Sequence, residues 1–246
     1  MTRTIWLVLL CWVAVNANAV PLYVADSLPT SQGWSFLALN GPQILPQASL
    51  ASLNAGNFMT LDTTAANPIQ GGYGRIAPLL DSAPGFRLDF SARLIGESHV
   101  NNDRAGFSLI AIDDTKHGVE LAFWQDHIWV QNAGFTHGSD VAFTTASMTD
   151  YSLLVAGNTF ELLANGTALL SGTTQSYTTG GPFGFVYQTP NFVFFGDDTT
   201  SASARFDLQS MSLQAVPEPS LPALLVAGIA LLAVFHGRRR STSRLT

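Results

Sequence analysis

The chain has 246 residues, 47% of them hydrophobic, and eleven lysines and arginines against seventeen aspartates and glutamates, for a net charge of −6. A chain this poor in cations has no basic stripe for a phosphate backbone and little to hold it on anionic lipid, which excludes nucleic acid as a partner. Its single cysteine, Cys11, excludes an intrachain disulfide and a cysteine-ligated metal.

In chain order, Arg3 precedes an apolar stretch over 5–15, and Ala17-Asn18-Ala19 places small residues, Ala17 and Ala19, where a signal peptidase reads them. Residues 1–19 are therefore predicted to be a secretory signal helix, cut after Ala19. Cys11 is not a lipoprotein cysteine, because Leu10 stands where that signal needs a small residue. Without the leader and the C-terminal tail, six basic and sixteen acidic residues remain, a net charge of −10, with Lys116 the only lysine. The polar surface must then be Thr, Ser, Asn, Gln and Gly, a composition common on extracellular β-sandwiches.

Residues 20–215 have the size of one all-β domain, and no stretch in them sustains a 3.6-residue period for three turns. Short apolar runs between Gly, Asn, Asp and Pro predict strands almost throughout. Gly71-Gly72-Tyr73-Gly74 reads as a loop, and strands read over 87–95 and 104–112. In 119–131, a turn centred between Gln125 and Asp126 sets Phe123 opposite Ile128 and Leu121 opposite Val130. Glu120, Ala122, Trp124, His127, Trp129 and Gln131 then share the other face. Strands over 151–156, 159–164 and 167–171 are joined by Gly157-Asn158 and Asn165-Gly166, dipeptides that tolerate positive φ in two-residue hairpins. These turns set Val155 against Phe160, Leu153 against Leu162 and Leu162 against Leu169. Leu154, Leu163 and Leu170 point the other way, so the meander is expected to be covered on both sides. Gly180-Gly181 is a loop, strands follow over 183–187, 192–195 and 204–213, and the phase change between Phe206/Leu208 and Met211/Leu213 predicts a bulge near Ser210.

Three sets of side chains carry candidate chemistry. Glu120, Trp124, His127, Trp129 and Gln131 combine indole faces that can stack on sugar rings with amide and carboxyl groups for hydroxyls. The same tryptophans can equally pack beneath a loop or the opposite sheet. Asp113-Asp114 and Asp197-Asp198 follow apolar strands and offer oxygen ligands for calcium, although aspartates serve turns as well and the regular calcium-loop spacing is missing. No cofactor other than calcium is expected. Catalysis finds little support: of the glutamates before the tail, Glu97, Glu120 and Glu161, none has an Asp two residues on, so the paired carboxylates of a glycosidase are not seen on one strand. The histidines are scattered, and Ser108 lacks the second glycine of a nucleophile elbow.

The tail has three ordered parts: Val216-Pro217-Glu218-Pro219-Ser220, an apolar block over 221–237 and a basic end over 238–246 that opens with Arg238-Arg239-Arg240. Seventeen helical residues reach about 25 Å, a little short of a bilayer core of about 30 Å, which suits a temporary anchor. The arginines keep the C-terminus on the cytoplasmic side. This order resembles the PEP-CTERM sorting signal of Gram-negative bacteria, which implies an exosortase cutting near Pro217-Glu218-Pro219, an inner-membrane precursor held by one transmembrane helix, and a mature product at the cell surface or in the exopolysaccharide matrix.

The sequence Asp103-Arg104-Ala105-Gly106-Phe107-Ser108-Leu109-Ile110, the hairpin over 118–131, the meander over 151–172 and Pro190-Asn191-Phe192-Val193-Phe194-Phe195-Gly196-Asp197-Asp198-Thr199 resemble a concanavalin A-like lectin/glucanase sandwich, across 22–214. The resemblance implies an all-β jelly roll of two antiparallel sheets, one concave, with glycans as a common ligand and calcium sometimes at the rim. The expectation is an exported, non-enzymatic protein that binds extracellular polysaccharide or acts as a spacer. Alternatives are a glycoside hydrolase on the same fold and a protein-interaction module.

Overall fold

The computed structural model describes residues 18–65, 69–78, 80–178 and 183–216. Residues 1–17 of the leader, Ala17 included, the Gly180-Gly181 loop, the Pro217-Glu218-Pro219 motif, the 221–237 block and Arg238, Arg239 and Arg240 lie outside them, whereas Ala19 is described and exposed. Among the described residues, no helix is long and apolar enough to cross a membrane.

Alternation builds the architecture. In 86–94, Phe86, Leu88, Phe90, Ala92 and Leu94 are buried and Arg87, Asp89, Ser91 and Arg93 face outward, the period of a strand with one face on a core. Each large side chain so buried contributes about 1.5–3 kcal/mol.

The strands are β1 (Val20–Val24), β2 (Ser35–Asn40), β3 (Gln43–Ile44), β4 (Ala51–Asn54), β5 (Phe58–Asp62), β6 (Ile69–Ile76), β7 (Phe86–His99), β8 (Ser108–Ile112), β9 (Gly118–Phe123), β10 (His127–Gln131), β11 (His137–Ala142), β12 (Thr149–Ala156), β13 (Thr159–Ala164), β14 (Thr167–Thr173), β15 (Phe192–Asp197) and β16 (Ala202–Ala215), with one helical turn, α1 (Phe185–Gln188). The first sheet runs β14-β13-β12-β7-β16-β5-β4 with β1 added to β16, and the second runs β11-β10-β9-β8-β15-β6-β2-β3. Every pairing is antiparallel. The inner faces enclose one apolar cluster, from Leu22 to Leu213, in which Phe107 stacks on Phe206 with ring centroids 3.9 Å apart. The protein is thus a two-sheet jelly-roll sandwich, and residues 19–216 form one compact unit.

Two of the three predicted hairpins form with their expected core pairs: Phe123 with Ile128, Leu121 with Val130, Val155 with Phe160 and Leu153 with Leu162. The turns do their part, with φ of 57° at Gly157, 49° at Asn165 and 77° at Gly166. The bulge in the last strand falls between Leu208 and Ser210, and the extra residue returns Met211 and Leu213 to the core side.

Five expectations need correction. Leu162 faces Leu170 rather than Leu169, because a register shift in β14 absorbs one residue and turns Leu170 inward. Leu154 and Leu163 are half-buried on an open outer face, so the meander is not covered on both sides. Gly71-Gly72-Tyr73-Gly74 lies in β6, fully buried between β15 and β2. A Cβ at Gly72 would stand 2.4 Å from the Phe194 ring, and one at Gly74 would stand 2.3 Å from that of Phe192, so here glycine makes room for aromatics on the neighbouring strand. Finally, 183–187 leads into the helical turn α1 rather than forming a strand, and the strand over 104–112 begins only at Ser108.

Candidate functional site

The outer face of the second sheet is roofed in two places. Ile110, Ile112, Phe192 and Phe194, which point away from the main core, are covered by Tyr177, Phe183, Val186 and Tyr187. A strand over 183–187 would send alternate side chains to solvent, whereas one helical turn delivers Phe183, Val186 and Tyr187 to the same apolar surface. Farther along, Ala105, Ala122 and Trp129 form a second patch against Trp124. The 101–105 loop is tied over it by the Trp124 indole N–H donating to the Arg104 carbonyl (3.0 Å) and the His137 amide donating to the Asp103 carboxylate (2.8 Å).

Between the two roofs lies a cleft of about 480 Å³, with Glu120, Gln131, Gln70, Arg104 and Asp198 among its polar walls and Phe135 on its rim. Glu120 leaves β9 on the side away from the main core and is 4% exposed. Its Oε1 accepts from the Ser108 hydroxyl (2.9 Å), and its Oε2 is 2.7 Å from the Tyr187 hydroxyl. The same Tyr187 hydroxyl is 2.5 Å from Asp198 Oδ2. The Glu120 amide donates to the Tyr177 hydroxyl (3.0 Å), which donates to the Gln131 carbonyl (3.0 Å). On the rim, the Arg104 guanidinium donates to the carbonyls of Asp103 and Phe135 and lies 5.9 Å from the Phe135 ring. Phe135 has φ of 58°, a left-handed conformation that is rare for a bulky residue and is maintained here by contacts on both its carbonyl and its ring.

Electrostatics follow from the burial. Desolvation first, and then the nearby Asp198, push the Glu120 carboxyl up to about 8. Burial also raises Asp198 and drives the Tyr187 phenol well above the ordinary tyrosine range. The Arg104 charge acts in the opposite sense on both carboxyls without overcoming burial.

The expected binding face is divided by this arrangement. Glu120 and Gln131 line the cleft. Trp129 is 0% exposed beneath His137, whose ring stacks on it at 4.3 Å, and Trp124 is covered by His99 in the same way at 4.3 Å. Trp129 therefore has no face open to a sugar, and half-buried Trp124 has one ring face taken by His99. His127 sits at the hairpin turn, paired with exposed Asp126 at 3.0 Å, away from the cleft walls.

The four aspartates do not form a ligand set. Asp113 Oδ1 accepts from the amide and hydroxyl of Thr115 and the amide of His117, closing its own turn, while Asp114 is exposed beside it. Asp197 is 0% exposed and spends its oxygens on Thr63 and Thr199. Only Asp198 turns toward the cleft, and among the described residues no three His, Cys, Asp or Glu side chains converge as a metal site.

Sequence reasoning missed Tyr187, Tyr177, Arg104, Gln70 and Phe135. The available signal was Pro182 and Pro190 bounding the Phe183–Gln188 run, which argues against an inner strand.

No protein-family model matches the sequence, and no curated protein is significantly similar to it. Solved structures are similar in fold. A carbohydrate esterase from the Shiga toxin-encoding bacteriophage phi24B superposes with a TM-score of 0.55 at 12% identity, over 81% of this chain and 100% of that one. A sialidase superposes with a TM-score of 0.51 at 11% identity, over 83% of this chain but only 19% of the sialidase. The exoplasmic domain of VIP36, in its Ca2+/Man3GlcNAc-bound form, gives 0.48 at 13% identity, over 82% of this chain and 90% of that domain. At these identities the likeness is one of architecture alone: the chain shares a β-sandwich fold with the esterase and with part of the sialidase.

Proposed function

We propose that this chain is an exported, non-catalytic saccharide-binding protein whose ligand lies in the cleft on the outer face of the second sheet. The observation that carries this reading is the convergence of Asp198, Arg104, Gln70 and Gln131 on one roofed cleft beside the Phe135 ring. Carboxylate, guanidinium and amide groups around an aromatic wall are what a polyhydroxylated ring requires: fixed donors and acceptors for its hydroxyls and an apolar surface for its C–H face. Export rests on the sequence: signal peptidase removes 1–19, an exosortase processes the tail at Pro217-Glu218-Pro219, and the domain passes from the inner membrane to the surface or polysaccharide matrix of a Gram-negative bacterium. A glycan array probed with purified protein, with and without calcium, tests the binding. Asp198→Ala and Arg104→Ala should each lower affinity at least tenfold while leaving the fold intact. Unchanged binding in both would place the ligand elsewhere.

One observation favours glycoside hydrolysis as a second reading. Glu120 and Asp198 share the Tyr187 hydroxyl, so their oxygens stand no more than about 5 Å apart, near the spacing of a retaining carboxylate pair. The phenol, however, occupies the gap that a scissile oxygen would need, which is why binding is preferred. Release of reducing ends from neutral polysaccharides, lost in Asp198→Asn, would favour the enzyme.

A further inference from the structure

The Tyr187 phenol has one proton to donate and lies within hydrogen-bond distance of two carboxyls. With both carboxyls ionised, one contact would set lone pair against lone pair at the floor of the cleft, where Glu120 is almost wholly shielded from water and Asp198 is half-buried, the costly case of a buried polar group without a partner. Both short contacts are attractive only when the three groups hold at least two protons, one on the phenol and one on a carboxyl. Glu120 is faced by Ser108 from β8, by Tyr177 and Tyr187 from the roof, by Asp198 after β15 and by Arg104 before β8, so Arg104 is the single cation among its neighbours. Asp197 turns away to Thr63 and supplies no donor. Burial and the adjacent Asp198 raise the Glu120 carboxyl, so Glu120 is assigned the second proton.

Tyr187 is also mechanically placed. It belongs to the single turn α1, whose neighbours Phe183 and Gly184 form a wall of the cleft, and the hydroxyl contacts tie that turn to β9 and to the end of β15. We propose that Glu120, Tyr187 and Asp198 form a one-proton latch: with the proton bound, α1 is clamped to the sheet and the cleft takes an uncharged saccharide; with it lost, α1 is released and saccharide binding weakens. The ligand class follows from the charge count. In the latched state the cleft holds one carboxylate, Asp198, and one guanidinium, Arg104, a balance that suits a neutral ring, whereas a uronate would set its carboxylate against Asp198. Saccharide binding must in turn favour retention of the proton, because linkage is reciprocal.

The latch concerns the same cleft as the proposed function, and its test is built to fail separately. Amide hydrogen exchange over residues 183–189 is followed from pH 6 to 10 on the purified protein, after division by intrinsic rates. The expected result is a loss of protection of tenfold or more between pH 7 and 10 in the wild type, and none in Glu120→Gln, whose amide donates at every pH. Carbon-13 carboxyl NMR of Glu120 in the wild type needs no variant, and a midpoint below 6 would overturn the latch, as would equal exchange profiles in the two proteins. Cellohexaose and mannohexaose, with hexagalacturonate as the acidic comparison, are then titrated at pH 7 and 9.5. Wild-type affinity for a neutral hexasaccharide should fall about tenfold on going to the higher pH, corresponding to about 1.4 kcal/mol, and stay level in Glu120→Gln. A fall that Glu120→Gln shares, or tighter binding of hexagalacturonate at pH 7, overturns the proposal. If none of the three saccharides binds at either pH, the saccharide reading fails, while the exchange and NMR data still decide whether the latch exists.

Discussion

Trp129 and Glu120 point to the same side of neighbouring strands, yet one is packing and the other is chemistry. Trp129 is sealed under His137, and its indole N–H has no hydrogen-bond partner among the described residues. Its role is volume. Trp129→Ala should destabilise the domain by about 3–5 kcal/mol in chemical denaturation. Glu120 has an ordinary value of 4.5 and is raised to about 8 in the fold, so between these values the folded protein holds a proton that the unfolded chain has released. Unfolding then releases protons, and stability falls as pH rises through this window; the contribution is complete below 4.5 and lost as pH passes about 8. Glu120→Gln removes this titration. Thermal melts from pH 5 to 9 should fall less steeply with pH for the variant than for the wild type, and parallel curves would show that Glu120 ionises normally.

The strands record how far local pattern reaches. The hairpins were legible because Gly157, Asn165 and Gly166 fix the turns, and a fixed turn dictates the pairs beyond it as far as the first bulge, which in β14 falls before Leu170. The bulge near Ser210 was legible from phase alone. The glycines of β6 were misread because their purpose is nonlocal: they admit Phe192 and Phe194 from β15, a strand more than a hundred residues away. Gly72→Val should therefore destabilise by about 1–3 kcal/mol through overpacking against Phe194, read as a shift in denaturation midpoint. The run Phe183–Tyr187 was misread because a short apolar segment has no period of its own, and the surface it must cover decides its shape.

Among the described residues the main apolar core lies within 22–213, so a fragment spanning 20–216 should unfold in a single cooperative transition unaffected by reductant. Two coincident probes, tryptophan fluorescence and far-UV circular dichroism, check this. In a native host, mass spectrometry should find the mature protein starting at Val20 and ending short of Thr246, and an intact Met1–Thr246 chain would contradict both processing steps. What the sequence by itself determined was sheet content, hairpin register, the absence of cysteine chemistry and the acidic balance, because turn residues, alternation and composition act over a few neighbours or none. Which face of the Glu120/Trp129 strands would be open, and that Glu120, Tyr187 and Asp198 would share one hydroxyl, was decided only by tertiary structure. Those three residues come from separate segments, and burial, which sets their protonation, is a property of the closed fold.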